Sequence, residues 1–292
     1  MTDTSSQQRR SRIRAARNRR EAVLYGLMAG ATGLILTALG FIVAYVIVQG
    51  MPGLSWEFLT SPDWKKGIWP MLLTTVYVVL VSLITALPIG ITTAVYLNEY
   101  AKSPGVIRVL RLAIETLAGI PSIIYGLFGL LVFCRFFGFG QSILAGALTL
   151  SIMILPVVIT STEEALKTVP LSFREGSLAL GTTKIQTIFR VVLPSALPGI
   201  VTAVILAVGR VVGESAPVLL TVGIAKNVPH SVMDSGRTLT IHLYYLTKEA
   251  VEENAFEQAF ATAAVLVVFV IIINTITRAL TRRYEKKMGS IA

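Results

Sequence analysis

Apolar residues in this chain form long blocks, and most polar and charged residues lie in the short stretches between them. The blocks cover approximately residues 22–48, 70–97, 111–133, 141–162, 193–222 and 259–280. A helix of about 20 apolar residues crosses the hydrocarbon core of a membrane. The pattern therefore predicts an all-α polytopic membrane protein with six transmembrane helices. Four blocks contain an internal proline, which predicts bent helices: Pro88, Pro121, Pro156 and Pro217.

The first block follows a basic tail, residues 1–21, that contains seven arginines. The core of a signal peptide is only about 7–15 residues long, so we interpret residues 22–48 as an uncleaved transmembrane helix. We expect the tail to be disordered or to lie against anionic lipid headgroups.

Charge orients the chain. It carries 14% charged residues and a net charge of +10, but the basic residues cluster beside the apolar blocks. With the N-terminus in the cytoplasm, 19 of the 26 basic residues lie on the cytoplasmic side and 6 lie outside. This asymmetry predicts that both termini, including the basic tail 281–292, are cytoplasmic and that residues 49–69 form an outside loop. No motif for reading nucleic-acid grooves accompanies the charge, so we predict no nucleic-acid binding.

The predicted cytoplasmic loop between the fourth and fifth blocks, residues 163–192, is long for a connection in a compact domain. Its residues 172–180 fit a short amphipathic helix in which Ser172 is the N-cap and Glu175 occupies the N3 position. Gly181 allows a left-handed helix end. The sequence thus predicts a helix that stops at a glycine bend.

A second short helix is predicted after this bend, capped by Thr182 or Thr183 and ending near Phe189. The glycine spacing over residues 176–183 mimics a phosphate-binding loop, but the required Lys-Ser/Thr pair is absent and no buried strand precedes it. We therefore predict that this chain does not bind ATP.

Two charged pairs lie in or beside the apolar blocks. Arg210 and Glu214 are four residues apart inside the fifth block, so they share a helix face. Either Arg210 contacts a passing oxyanion, which guanidinium matches well, while Glu214 holds Arg210 in place and weakens its grip, or the two residues form a structural ion pair. Arg111 and Glu115 repeat the spacing near the end of the third block, where an interfacial pair is the favoured interpretation. The two histidines have no companion ligands, so we predict no metal site, and no arrangement for catalysis is evident.

The loop 163–192 resembles the EAA loop of permeases in ATP-binding-cassette (ABC) importers, whose pattern is E-A-A-x-x-x-G, nine residues, then I-x-L-P. Gly, Ser and Val replace two alanines and the isoleucine. Three further stretches, residues 115–126, 213–220 and 239–245, resemble PstA-type permeases of phosphate importers. The resemblance assigns these residues to coupling with an ATPase: Glu175, Gly176, Ser177, Ala179, Gly181, Val191, Leu193 and Pro194.

The resemblance implies a type I ABC importer permease fold over residues 70–280, with coupling helices between helices 4 and 5. It also implies a PstC-type second permease, a PstB-type ATPase dimer that holds ATP and Mg, a PstS-type phosphate-binding protein and a bacterial inner membrane. This chain would bind no cofactor and would not itself be an enzyme. The loop 224–258 has five acidic and three basic residues and would not attract free phosphate, which fits delivery by a docking protein. Import of another oxyanion or small solute, and a non-transporting scaffold in phosphate sensing, remain alternatives.

Overall fold

The computed structural model describes residues 4–248 and 255–289, without the side chains of residues 4–20, 22, 280 and 282–289. All regular structure in these ranges is helical, which confirms the all-α prediction. The α-helices are α1 (Thr4–Gly50), α2 (Trp56–Thr60), α3 (Trp69–Val95), α4 (Pro104–Gly119), α5 (Ser122–Gly129), α6 (Ile143–Lys167), α7 (Leu171–Ala179), α8 (Lys184–Thr187), α9 (Leu193–Gly213), α10 (Ala216–Thr221), α11 (Leu239–Lys248) and α12 (Ala255–Gly289). Three π-helical segments extend or join them: Tyr96–Tyr100, Leu130–Phe136 and Ile188–Val192.

The chain forms two compact units, Met1–Gln49 and Gly50–Ala292. Helix α1 begins at Thr4, so the backbone of the arginine-rich tail is helical from that residue, and the expectation of a disordered tail is wrong there. The tail's side chains lie outside the described residues, and headgroup contact stays a prediction.

Five helices in the described ranges are long and apolar enough to cross a membrane, and they confirm five of the predicted spans in type. They are Val23–Gly50, Trp69–Tyr100, Ile143–Lys167, Lys184–Gly213 and Ala255–Ala279. At about 1.5 Å per residue, each is long enough for a hydrocarbon core of about 30 Å.

The remaining predicted span, the third along the chain at residues 111–133, is not one helix. Helix α4 and the helical stretch Ser122–Phe136 meet at 98°, and together they are long and apolar enough for either one broken span or a re-entrant loop. The break falls at Pro121, which has no N–H to donate and disfavours helical backbone in the residue before it, and Ile120 is extended with ψ of 129°. The Tyr125 hydroxyl donates to the Leu117 carbonyl oxygen at 2.7 Å and bridges the bend.

Helix α6 is the most deeply buried span and packs against α3 and α9. Leu150 and Ile154 on it are fully buried. Hydroxyl hydrogen bonds connect α6 to α3: Ser151 Oγ donates to the Ser82 carbonyl oxygen at 3.1 Å, and Ser82 Oγ donates to the Ala147 carbonyl oxygen at 3.1 Å. Such interhelical bonds and close packing replace the hydrophobic effect as the attraction between helices inside a membrane.

Two glycines bring α5 close to its neighbours. A Cβ at Gly126 would lie 2.8 Å from Cα of Pro217, the second residue of α10. A Cβ at Gly129 would lie 2.0 Å from Oγ1 of Thr149 on α6. Only a residue without a side chain fits at either place, so these glycines set the packing around α10.

Candidate coupling segment and intramembrane charge pair

The predicted short helix after α6 is present as α7, but its cap differs. Pro170 is the N-cap residue, and Ser172 makes no capping hydrogen bond, so the prediction for Ser172 is wrong. Proline disfavours helical backbone in the residue before it, which ends α6, and its own φ of −58° leads into α7. Ser172 consequently lies in the first turn and Glu175 in the second, where Glu175 is exposed and beyond the N3 position.

The predicted glycine bend is confirmed. Gly181 follows α7 with φ of +82°, in the left-handed region that side chains with a Cβ disfavour. No heavy atom lies within 4 Å of the place where its Cβ would be. Glycine is therefore required by the backbone conformation and not by lack of space.

A cluster of three hydroxyl groups closes this bend, and sequence reasoning missed it. The hydroxyl oxygen of Ser177 lies 2.8 Å from that of Thr182 and 3.0 Å from that of Thr187, and the two threonine oxygens are 2.9 Å apart. Thr182 Oγ1 also donates to the Ser177 carbonyl oxygen at 2.7 Å. A hydroxyl has one proton and two acceptor lone pairs, so while Thr182 donates to this carbonyl it can accept from the hydroxyls of both Ser177 and Thr187. We refer to Ser177, Thr182 and Thr187 as the hydroxyl triangle; it fixes α7 against α8.

Helix α8 begins with a capping box. Thr183 Oγ1 accepts from the Gln186 backbone N–H at 3.3 Å, and the Gln186 side chain accepts from the Thr183 N–H at 3.0 Å. Of the two predicted caps, Thr183 is the one used.

The predicted end of this second helix near Phe189 is wrong. Helix α8 continues through the π-helical segment Ile188–Val192 into α9, giving one helix over Lys184–Gly213. Pro194 cannot donate to the carbonyl four residues earlier and would clash with it, and the wider π-helical turn before it accommodates this. The residues Val191, Leu193 and Pro194 therefore belong to the shaft of a spanning helix and not to a separate loop.

The segment 171–192, which we call the coupling segment, presents apolar side chains to its surroundings. Leu180 is 87% exposed and Phe189 is 66% exposed. Of the residues that the resemblance assigns to coupling, Glu175, Gly176, Ala179 and Gly181 are exposed, and Ser177 is buried in the hydroxyl triangle. A groove of about 440 Å³ is lined by Ser172, Phe173, Gly176, Ser177, Leu180, Thr182, Gln186, Arg190 and Val191. Exposed apolar side chains around a groove are typical of a surface that receives a partner.

The predicted pair in the fifth span is present. Arg210 Nε lies 3.8 Å from Oε1 of Glu214, an ion pair longer than a direct hydrogen bond. The two side chains are 31% and 19% exposed. Glu214 is the first residue after α9, at the break before α10, and its backbone carbonyl accepts from Thr240 Oγ1 at 3.2 Å. The pair therefore occupies a helix break that α11 helps to hold.

The second predicted pair is not formed as expected. Arg111 Nη2 bonds Oε1 of Glu163 on α6, not Glu115. Lys167 Nζ also lies 2.8 Å from Oε1 of Glu163. The Glu163 side chain is only 6% exposed, and a buried carboxylate needs such partners. Arg111 thus ties α4 to α6, a contact between residues far apart in sequence.

Two groups outside the candidate spans have shifted pKa values. The backbone N–H groups of His230 and Ser231 donate to Asp234 Oδ2 at 2.8 and 2.9 Å and lower the pKa of that carboxyl group. Burial, with Arg237 and Lys226 nearby, lowers the pKa of His242 to about 3, so its imidazole is neutral at pH 7. Part of the acidic character predicted for the loop 224–258 lies at residues 249–254, outside the described residues.

The family described as "Binding-protein-dependent transport system inner membrane component" matches residues 86–290 of this chain. The chain belongs to this family of ABC transporter permeases. It is 33% identical over 282 residues to the probable ABC transporter permease protein YqgI of Bacillus subtilis, covering 91% of this chain and 95% of that protein. It is 38% identical over 212 residues to the phosphate transport system permease protein PstA of Mycobacterium leprae, covering 73% of this chain and 69% of that protein.

The fold is shared with solved ABC transporters. A chain in the crystal structure of a bacterial alginate ABC transporter, in complex with an alginate pentasaccharide-bound periplasmic protein, superposes with a TM-score of 0.68. The two chains are 15% identical, and the match covers 91% of this chain and 96% of the other. This similarity confirms the type I importer permease fold predicted from the sequence.

Proposed function

We propose that this chain is one of two permease subunits of an ATP-driven phosphate importer. Relatives named as phosphate permeases of the PstA type support the solute, and a relative of the PstC type, 29% identical over 303 residues, supports pairing with a second permease of similar fold. In this proposal a PstB-type ATPase dimer hydrolyses ATP with Mg, and a PstS-type binding protein delivers phosphate. The chain lies in a bacterial inner membrane with both termini in the cytoplasm.

The observation that carries the proposal is the Arg210–Glu214 pair at the break between α9 and α10. A charge within a spanning segment is costly and faces either the bundle interior or a water-filled path. Arg210 is nearly one third exposed, and at 3.8 Å its contact with Glu214 is loose. A guanidinium in this state can bind phosphate oxygens bidentately. Glu214 weakens that binding by competing for the guanidinium, so the anion is released again.

The helix that carries Arg210 begins in the coupling segment. Lys184–Gly213 is one helix of 30 residues, about 45 Å long. A displacement that an ATPase imposes on α7 and α8 therefore reaches the break at Glu214 without passing through a flexible linker. This is a rigid-body mode of switching, and it connects ATP hydrolysis to the exposure of Arg210.

Replacement of Arg210 tests this function. The variants Arg210→Ala and Arg210→Lys are expressed with the second permease and the ATPase, and uptake of labelled phosphate into vesicles is measured. We expect Arg210→Ala to reduce uptake at least about tenfold, because one charge-assisted bond to an anion contributes about 1.5–3 kcal/mol. Arg210→Lys retains the charge without the planar fork and should be intermediate.

The matched control is Arg108→Ala, which removes an exposed arginine from α4. Uptake by this variant should equal that of wild type. Normal uptake by Arg210→Ala, with normal assembly, would remove the path role of Arg210. If another oxyanion but not phosphate stimulated ATP hydrolysis, that oxyanion would be the transported solute. If the complex transported no solute, the alternative of a non-transporting scaffold in phosphate sensing would be favoured.

A further inference from the structure

The side chain of Arg174 on α7 donates four hydrogen bonds to groups within this chain. Its Nε and Nη2 atoms donate to Glu99 Oε1 at 3.2 and 3.0 Å. Its Nη1 donates to the Val169 carbonyl oxygen at 2.6 Å, and its Nη2 donates to the Leu166 carbonyl oxygen at 2.9 Å. The side chains of Arg174 and Glu99 are only 15% and 9% exposed. The guanidinium is thus directed inward, towards the membrane helices.

Its partners belong to two different elements. The Leu166 carbonyl lies in the last turn of α6, where it also accepts from the Val169 backbone N–H at 3.4 Å, and the Val169 carbonyl lies in the connection between α6 and α7. Glu99 lies in the π-helical segment that ends α3, and the Asn98 side-chain amide donates to its Oε1 at 2.8 Å. One guanidinium therefore joins α7 to the ends of α3 and α6.

A second cation reinforces the contact with the end of α3. The Lys184 ammonium group, at the start of α8, bonds the backbone carbonyl oxygen of Glu99. Its Nζ also lies 4.5 Å from the centroid of the Tyr100 ring, a cation–π geometry. Both halves of the coupling segment thus contact Glu99, through Arg174 on α7 and Lys184 on α8, and Lys184 also contacts Tyr100.

Helix α3 differs from α9 in how movement can reach it. Helix α9 is continuous with α8, but α3 is connected along the chain to the coupling segment only through α4, α5 and α6. A displacement of α7 can be passed directly to α3 only by non-covalent contacts. Two cations that converge on Glu99, one of them through a planar fork, can fix position and angle.

We propose that the Arg174–Glu99 pair is the joint through which the coupling segment moves helix α3. Arg174 and Glu99 are positioning residues, which act on transport through α3 and do not contact the solute. The proposal rests on the proposed function, since it assumes an ATPase that moves the coupling segment. Capping of α6 alone would need only the two carbonyl bonds of Arg174, so the bonds to Glu99 carry the inference.

The first test measures phosphate transported per ATP hydrolysed in the complete reconstituted complex. Arg174→Gln and Glu99→Gln should assemble normally and continue to hydrolyse ATP, while this ratio falls about tenfold. The ratio in the double variant should fall no further than in Arg174→Gln alone, because that substitution already breaks the pair with Glu99. The control Lys102→Gln removes an exposed cation three residues from Glu99 and should leave the ratio unchanged. A ratio within about twofold of wild type in both single variants, or losses that multiply in the double variant, would overturn the joint.

The second test does not depend on the solute. With Cys134 replaced by alanine, spin labels are placed at Ile89 on α3 and Leu171 on α7, both of which are exposed. Their distance should change by less than about 2 Å between the nucleotide-free and ATP-bound complexes, and it should shift or broaden in Arg174→Gln. A larger change in the complex with Arg174 intact would show that α7 and α3 move separately and would overturn the joint.

The two tests separate the joint from the proposed function. If the complex hydrolyses ATP in response to another solute, the phosphate assignment fails and the label distance still decides the joint. If no ATPase co-purifies with this chain when the chain carries an affinity tag, both proposals fail.

Discussion

Gly181 offers a perturbation whose cost follows directly from the structure. Gly181 has φ of +82° and open space around its Cβ position. Its substitution therefore introduces backbone strain but no collision with another residue. An L-residue with a Cβ costs about 1–2 kcal/mol in the left-handed region, which corresponds to a shift of about 5–30-fold in the equilibrium of the bend. Asparagine tolerates this region and a β-branched residue does not, so the cost should increase from Gly181→Asn through Gly181→Ala to Gly181→Val.

We expect the same order in two measurements. Hydrogen exchange of the α7 and α8 amides should accelerate, since strain at the bend competes with the hydroxyl triangle that closes it. Phosphate transported per ATP should decrease in parallel, because a loosened bend no longer transmits the angle of α7 to α8.

Gly138→Ala is the matched control. Gly138 also has a positive φ, of +74°, with nothing within 4 Å of its Cβ position, but it lies between α5 and α6, away from the coupling segment. It should show comparable local strain without loss of coupling. Equal coupling in Gly181→Asn and Gly181→Val, or an equal coupling loss in Gly138→Ala, would show that the backbone conformation of Gly181 does not control coupling.

Three further predictions concern packing and pH. Gly129→Ala should lower the thermal midpoint of unfolding in detergent, at a cost of about 1–3 kcal/mol, because the new Cβ would lie 2.0 Å from Thr149 Oγ1. The control is Gly119→Ala, whose Cβ would meet nothing within 4 Å. Equal midpoints in the two variants would contradict the close packing at Gly129. Asp234 has a lowered pKa, so its carboxylate stabilises the fold above the ordinary pKa of 3.8, and this contribution is lost as pH falls through the pKa of the folded state. Asp234→Asn should accelerate amide exchange at residues 230 and 231 at pH 7 but not at strongly acid pH. The pKa of His242 is lowered from 6.5 to about 3, so its neutral form stabilises the fold above pH 6.5, and this contribution decreases as pH falls towards 3. The thermal midpoint of the wild type should therefore decrease relative to that of His242→Gln between pH 8 and pH 5. A constant difference between the two midpoints would contradict the lowered pKa of His242.

Features that depend on local chemistry could be predicted from the sequence. The bend at Gly181, the cap at Thr183 and the pairing of Arg210 with Glu214 each involve residues within four positions of one another. Their geometry is fixed by backbone preferences and by the helical repeat. The pattern of apolar blocks likewise predicted the spans, since a membrane requires long helices.

Features that depend on tertiary packing could not be predicted from the sequence. The helical spacing predicts that Arg111 pairs with Glu115, but in the structure Arg111 pairs with the buried carboxylate of Glu163 on another helix. The bond between Arg174 and Glu99 joins residues 75 positions apart, and no periodicity encodes it. Pro121 indicated a kink, but a single proline does not reveal that the bend reaches 98°.

The proposed function depends most on the coupling of ATP hydrolysis to phosphate movement through this chain. The most direct measurement uses liposomes that contain the chain, its second permease and the ATPase, with the binding protein added, and records phosphate accumulation and ATP hydrolysis together. The proposed function predicts that phosphate stimulates hydrolysis, that phosphate accumulates against its gradient, and that Arg210→Ala reduces accumulation at least about tenfold while the complex remains assembled. Hydrolysis that is indifferent to phosphate, with no accumulation by the assembled wild-type complex, would contradict it.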